Sequence, residues 1–276
     1  WLNGEVEATF IADKSADPEF GTGAMTITPA HDFIDFEIAQ KHKLPIVQII
    51  DEKGNFTDAV GEEFAGKNAR ASREAIVKIL AAKQLLEKVD ENYVHNLSVC
   101  YRCGTAVEPL VSRQWFIDVN KPIIKEGGKV KSLKQKASEV VKKGDVEIIP
   151  DKFEKIYFHW LNNLNDWCIS RQIWFGHQIP VWYCKNEVKK PCKPIVQVNQ
   201  PKSCPQCASK KIEQDPDTLD TWFSSGLWTF STLGWPAKSK DLDYFHPTSV
   251  LETGYDILFF WVARMILMTT YALNEI

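Results

Sequence analysis

Residues 251–268 read L-E-T-G-Y-D-I-L-F-F-W-V-A-R-M-I-L-M, and their pattern decides the fold class. Ser249, Val250 and Leu251 make an extended apolar run, Gly254 breaks it, and an apolar helix follows. A strand, a glycine turn and a helix in that order bring the first helical turn to the carboxyl edge of a sheet. Folds of the α/β class take small ligands there. Ile257, Phe260, Trp261 and Arg264 fall at i, i+3, i+4 and i+7 and share a helix face. Asp256 stands beside them at the helix start. Two readings fit these residues. In one, Asp256 complements the positive end of the helix and the rest is core. In the other, its carboxylate faces an ammonium while Ile257 and Trp261 wall a small apolar side chain. Spacing alone leans to the first.

The 276 residues suffice for one or two domains with a sizeable core. Hydrophobic residues at 44% and charged residues at 25% are ordinary for a globular protein. A net charge of −3 argues against indiscriminate nucleic-acid binding while leaving room for RNA held by local patches. Nowhere is there a run of about 18 uncharged apolar residues, so no membrane partner is expected. The start, W-L-N-G-E-V-E-A, is no signal peptide. Seven cysteines, with two C-x-x-C pairs, point to thiols or metal ligands in a reducing, cytoplasmic setting rather than to disulfides. The chain opens without Met and stops inside a helical pattern, which reads as a segment of something longer.

Residues 1–98 read as a small α/β unit. Strands are expected at Val6–Ile11, Ala24–Thr28 and Pro45–Asp51, a turn at Asp51–Gly54, and an amphipathic helix over Ala69–Lys88. Gly21 and Gly23 flank Thr22 in a tight turn that lets backbone approach a ligand closely. Asp32 caps a helix running to about Lys41, with Asp35 placed three residues on, close to a capping box. His31 reads as a partly buried turn residue. Alternatively, Thr22, Thr28, Asp32 and Asp35 line a polar pocket in which a carboxylate binds an ammonium and hydroxyls grip a hydroxylated substrate. The two readings stand level.

Residues 99–183 open with Cys100-Tyr-Arg-Cys103-Gly, a metal-knuckle spacing with no second pair nearby in sequence. Val107–Val119 is strand-like, Lys129–Lys143 reads as a solvated charged helix, and Lys152–Leu164 carries helix signals. The dense aromatics after Asp166 mark a core crossing in which Arg171, Gln172 and His177 are embedded. A buried arginine there needs a carboxylate or an anionic ligand. Residues 184–215 hold Cys184, Cys192, Cys204 and Cys207, resembling a zinc ribbon. Seven residues separate the first two, against the usual two to four or so. Residues 216–276 contain Asp220, Thr221 and Trp222 and then the helix quoted above.

Four strings resemble class I aminoacyl-tRNA synthetases of the valine branch, in that family's order: G-T-G-A-M-T-I-T-P-A-H-D from Gly21, D-W-C-I-S-R-Q-I-W-F-G-H-Q-I-P from Asp166, L-D-T-W-F-S-S from Leu219, and T-G-Y-D-I-L-F-F-W-V-A-R-M from Thr253. The isoleucine and leucine enzymes are similar in layout but carry other residues in the last string. The resemblance implies an α/β fold: part of a Rossmann-like catalytic core (99–183 and 216–276), part of an inserted β-barrel-type editing domain (1–98), and a small cysteine-containing insertion (184–215). It implies valine, ATP with Mg2+ and tRNA(Val) as partners of a monomeric enzyme, with hydrolytic editing of threonyl-tRNA. Trp222, Asp256, Ile257 and Trp261 match the family's valine pocket, which reverses the leaning from spacing. Thr22 belongs to the editing turn, and Thr28, Asp32 and Asp35 match positions that hold the wrong residue and the terminal adenosine, Asp32 as ammonium anchor. Thr26 stands where relatives often carry Lys. Cys100 and Cys103 match half of one zinc knuckle, and Cys204 and Cys207 half of a second zinc module.

The H-I-G-H and K-M-S-K-S types of signature lie outside these residues, so the segment alone is expected not to activate valine. The readings kept beside this one are an isoleucine enzyme, a synthetase-derived RNA- or metal-binding module without catalysis, and a free-standing hydrolase of mischarged tRNA.

Overall fold

The helices that begin at Phe33, Leu133 and Lys240 start where a side chain accepts from the orphan N–H groups of the first turn. The computed structural model describes residues 9–19, 21–94, 96–186 and 191–276. Two units divide the chain, residues 1–113 and 114–276. In the first, Asp32 caps α1 (Phe33–His42), its carboxylate accepting from the N–H groups of Ile34 at 2.8 Å and Asp35 at 3.0 Å. Lys43, in the left-handed region, ends the helix. A 3₁₀ turn (Asp58–Val60) and α2 (Arg73–Ala82) follow. The second helix is shorter than its pattern at both ends: Asn68 accepts from the Arg70 and Ala71 N–H groups and holds that stretch in turns, and the helix stops at Ala82, just before Gln84 at φ +57°.

The strands expected in this unit do not form among its described residues. Val6–Ala8 lie outside those residues, and Thr9–Ile11 and Ala24–Thr28 join no ladder. Pro45–Asp51 contributes one isolated bridge, Ile50 to Phe56. The reason is visible in the donors. Thr28 N–H donates to Asp35 Oδ2 at 2.6 Å, and the N–H groups of Ile49 and Ile50 donate to His31 Nε2 at 3.1 and 3.3 Å. Backbone donors taken by side chains are not available to a sheet. No closed barrel is present among the described residues. The Asp51–Gly54 turn forms as read, with Gly54 N–H donating to Asp51 O at 3.0 Å and Gly54 at φ +76°.

The second unit mixes short antiparallel sheets with helices. β1 (Phe116–Ile117) pairs with β4 (Trp167–Cys168), and β2 (Ile124–Glu126) pairs with β3 (Lys129–Lys131). The helices α3 (Leu133–Lys142) and α4 (Lys152–Asn162) lie between β3 and β4 in the chain. β5 (Ser170–Arg171) pairs with β9 (Thr218–Leu219), and β6 (Val181–Cys184) is flanked by β7 (Ile195–Val196) and β8 (Ile212–Gln214). Three short helices follow: α5 (Thr221–Gly226), α6 (Trp228–Ser231) and α7 (Lys240–Phe245). The last helix starts as a 3₁₀ turn (Tyr255–Ile257), passes through a π segment (Leu258–Ala263) and becomes α8 (Arg264–Ala272). Every strand pair named here is antiparallel, so the parallel Rossmann-like sheet is not formed among the described residues. Ser249–Leu251 bends at Ser249 and joins no ladder.

The core centres on α8. Ala263, Ile266 and Leu267 pack with Leu133, Ala137, Val140 and Val141 of α3 and with Tyr157 and Leu161 of α4, while Met268 packs with Trp167 and Phe230. The α3 segment is therefore no solvated charged helix: it buries one face, and Lys129–Lys131 ahead of it is strand. The crossing after Asp166 is likewise only half core. Trp167 and Trp182 are buried, whereas Trp174 and Phe175 are 96% and 87% exposed. No helix among the described residues is long and apolar enough to cross a membrane.

A charge lattice fastens the β2–β3 hairpin to α3: Glu126 meets Lys131 at 2.8 Å and Lys136 at 2.6 Å, and Lys131 also meets Glu139. Lys131 first, then Lys136, draws the Glu126 carboxyl from 4.5 down to about 2. A carboxyl held low in the folded chain adds stability above its unfolded pKa and loses it as pH falls toward the folded value. Urea midpoints should accordingly drop between pH 4.5 and about 2, and Glu126→Gln should flatten that part of the profile while lowering the midpoint at neutral pH.

Candidate functional site

Three constellations carry chemistry, one in the first unit and two in the second. In the first unit the turn before α1 gathers Thr28, Asp32 and Asp35. Asp35, 7% exposed, holds the Thr28 N–H at 2.6 Å and lies 3.4 Å from its hydroxyl, so it locks the turn rather than closing a capping box. Asp32 is exposed and caps α1. Thr22 hydrogen-bonds within its own turn, its Oγ1 accepting from the Ala24 N–H at 3.3 Å. His31 was readable only as a turn residue, yet it ties three segments together. Its Nε2 accepts from two backbone N–H groups, which leaves Nδ1 as the protonated nitrogen donating to Pro109 O at 3.2 Å.

The second constellation lies where α5 packs against the π segment. Trp222 and Phe260 rings are 6.1 Å apart, and Trp228 and Trp261 rings 6.2 Å. Asp256, exposed, and Ile257, half-buried, occupy the 3₁₀ turn that leads into this wall. A Cβ on Gly254 would come within 2.5 Å of Asp256 Oδ1, so a side chain there would displace that exposed carboxylate. The π segment adds a residue to its turn, so the shared face expected from α-helical spacing is offset: Trp261 lies against Trp228, and Phe260 and Arg264 lie against Trp222.

Behind the wall sits Asp220. Its Oδ2 accepts from Trp167 Nε1 at 3.2 Å, pairs with Arg171 Nη2 at 3.2 Å and lies 3.8 Å from Arg264 Nη1. The carboxylate that Arg171 needed is thus found. Burial lowers the Arg264 guanidinium from its ordinary value, Asp220 pulls it back, and Arg171 pushes it down again. Gln172 and His177 are exposed rather than embedded, held by Asp217 and Ser224.

The third constellation is made of sulfur. The β7–β6–β8 sheet ends with Cys184 on β6, Cys192 just before β7, and Cys204 and Cys207 in the turn before β8. Their four sulfurs all lie within 4.8 Å of one another, with Cys184 and Cys207 3.5 Å apart. A tetrahedral Zn–S₄ centre needs sulfurs about 3.8 Å apart, so the set fits that ion in donor type, number and span. The Ser209 backbone N–H and the Cys184 thiol hold Cys207 down at about 7, while burial and the Cys204 thiol push Cys192 up to about 12. The seven-residue gap that looked irregular in sequence is closed by the sheet.

Cys100 and Cys103 form a knuckle of the same construction. Cys100 N–H donates to Thr105 O and Gly104 N–H to Cys100 O, both at 2.8 Å, just as Cys204 N–H donates to Ser209 O and Ala208 N–H to Cys204 O. Among the described residues this pair has no further metal-type donors gathered around it. The Thr105 hydroxyl and backbone lower the Cys103 thiol from its usual value.

A description of the tRNA synthetases class I (I, L, M and V) matches residues 27–275. The chain belongs to the class I tRNA synthetases. It is 47% identical, over 98% of its own length, to a valine–tRNA ligase of Clostridium tetani, covering 29% of that protein. It is 50% identical to valine–tRNA ligases of Treponema denticola and Symbiobacterium thermophilum, over 93% and 94% of this chain and 26% and 27% of theirs. The chain therefore spans little more than a quarter of these relatives. The fold that carries the match is a class I synthetase domain of mixed α/β content.

Proposed function

We propose that these residues belong to a valine–tRNA ligase, which activates valine with ATP and Mg2+ and transfers it to tRNA(Val). The observation that carries this reading is the 47–50% identity, along nearly the whole chain, with valine–tRNA ligases. The site chemistry supports it. Trp222, Ile257 and Trp261 offer an aromatic and β-branched wall for an isopropyl group, and Asp256 offers an exposed carboxylate for the ammonium. We assign residues 99–183 and 216–276 to the Rossmann-like catalytic part, 1–98 to the editing part and 184–215 to a metal-bound insertion.

An apolar pocket discriminates poorly against an isostere that adds only a hydroxyl, a limit for which valine enzymes facing threonine are themselves the reference case, at about a hundredfold. A second, polar pocket selects that hydroxyl. Thr22, Thr28, Asp32 and Asp35 supply hydroxyls and carboxylates, and Asp32 is exposed and able to meet an ammonium while it caps α1. In the insertion, Cys184, Cys192, Cys204 and Cys207 would hold zinc as a closed structural staple, supplying folding energy to the β7–β6–β8 sheet. Cys100 and Cys103 would supply half of another such site.

In ATP–pyrophosphate exchange by the protein that carries these residues, valine should exchange strongly and isoleucine weakly, and Asp256→Ala should abolish the valine signal. A preference for isoleucine moves the assignment to the sister enzyme. Asp32→Ser keeps a capping oxygen and should keep the fold, whereas Asp32→Ala should cost about 1 kcal/mol of stability. Both should lose hydrolysis of threonyl-tRNA(Val), and retention of hydrolysis by the Ser variant refutes the editing role. Elemental analysis should find zinc that Cys204→Ser releases, together with a drop in melting temperature. Zinc content unmoved by that substitution overturns the four-sulfur assignment.

A further inference from the structure

Arg264 has no part in the reading above, yet its surroundings are unusually specific. Three rings enclose its guanidinium, Trp167 at 4.3 Å, Phe260 at 5.6 Å and Trp222 at 5.9 Å. On the open side stands Asp220 Oδ2 at 3.8 Å, near enough for an ion pair and too far for a hydrogen bond. Arg264 Nη1 is buried and finds no acceptor among the described residues. Asp220 is already committed to Trp167 Nε1 and to Arg171, both at 3.2 Å. Immediately before Arg264 lies the π segment, a form that gives up helical regularity and is frequent at functional sites. A buried cation left a hydrogen bond short, at the end of a π turn, is not what plain core packing produces. Two of its three rings belong to the wall described above, Trp222 directly and Phe260 as its neighbour at 6.1 Å.

We propose that Arg264 is a positioning residue for the amino-acid pocket: caged by Trp167, Trp222 and Phe260 and tethered to Asp220, its planar guanidinium fixes the tilt of the Trp222 and Phe260 rings against the substrate side chain. This rests on the assignment of Trp222, Asp256, Ile257 and Trp261 to that pocket. Arg264 acts through the rings and touches no substrate. Its planarity matters more than its charge, because lysine is a point charge on a flexible stem and cannot set a rigid plane among these rings.

The test is exchange kinetics in the protein that carries these residues, with Arg264→Lys, Arg264→Met, Phe260→Leu and Asp256→Ala, titrating valine and ATP separately. Both Arg264 variants should raise KM for valine about tenfold, with KM for ATP and kcat changed by no more than about threefold. Lysine should not rescue. Phe260→Leu should give the same one-sided effect and decides the matter if the Arg264 variants do not fold. An unchanged valine KM in Arg264→Lys, or equal losses toward valine and ATP in folded variants, overturns the proposal. With Asp256→Ala still showing its loss, only the role of Arg264 has failed. If Asp256→Ala also behaves as wild type, the pocket assignment itself falls, and the proposal with it.

Discussion

Six successive residues of α8, Met265–Thr270, are buried, and the second unit is arranged to cover them. A helix without a polar side must be enclosed on every side. α3 and α4 close one flank, while Trp167, Phe230 and the α5–α6 segment close the other. Burying each large apolar side chain contributes about 1.5–3 kcal/mol, so these contacts outweigh the weak preferences of the short strands around them. The close approach of α5 follows directly, since a Cβ on Gly226 would come within 3.3 Å of Met268 Cγ. Thr269 and Thr270 are tolerated inside because Thr229 and the Ile266 carbonyl answer their hydroxyls. Trp222 thus reaches the π segment as a by-product of enclosing α8.

Two buried carboxylates in this unit show how differently the interior treats charge. Asp215 is fully answered: Oδ2 accepts from Trp115 Nε1 and the Tyr183 hydroxyl, both at 2.8 Å, and Oδ1 from the Asp217 N–H. Asp220 is oversubscribed, with an indole and two arginines on one oxygen. An unmet buried donor costs about 1–3 kcal/mol; Arg264 Nη1 stands so beside the aromatic wall, and the two ring nitrogens of His246 are the other buried side-chain atoms without a partner among the described residues. Stability is given up at the edge of the candidate pocket while the sheet junction around Asp215 stays fully bonded.

The sequence was legible where the physics is local. The Asp32 cap, the Asp51–Gly54 turn and the helix from Lys152 need only neighbouring residues, and each formed. Ala24–Thr28 and Pro45–Asp51 form no strands because Asp35 and His31 intercept donors of theirs, and no periodicity reveals an interception by a side chain further along the chain or before it. Four cysteines were visible as donors, but their meeting point depends on the β7–β6–β8 pairing, which hides inside an irregular spacing. Arg171 announced that it needed a carboxylate without disclosing that Asp220, forty-nine positions later, would be it. Arg264 was placed on the apolar face, and only the three surrounding rings show why a charge stands there. The signal for it was present: a lone arginine inside the chain's most apolar helix.

The π segment has a further meaning in terms of chain length. Leu258–Ala263 carries a surplus residue relative to an α-helix, stored inside an otherwise continuous rod. Removing one residue from it would let the wide turn relax to regular winding with its flanks near their present bearings, whereas the same deletion within α8 would swing everything upstream, Tyr255–Ile257 included, by about 100° about the axis. A deletion in this stretch narrows one turn, whereas a deletion in α8 re-aims all that precedes it. The segment therefore buffers the bearing of Asp256 against a change of one residue at this point of the helix, a tolerance that the regular turns of α8 do not share.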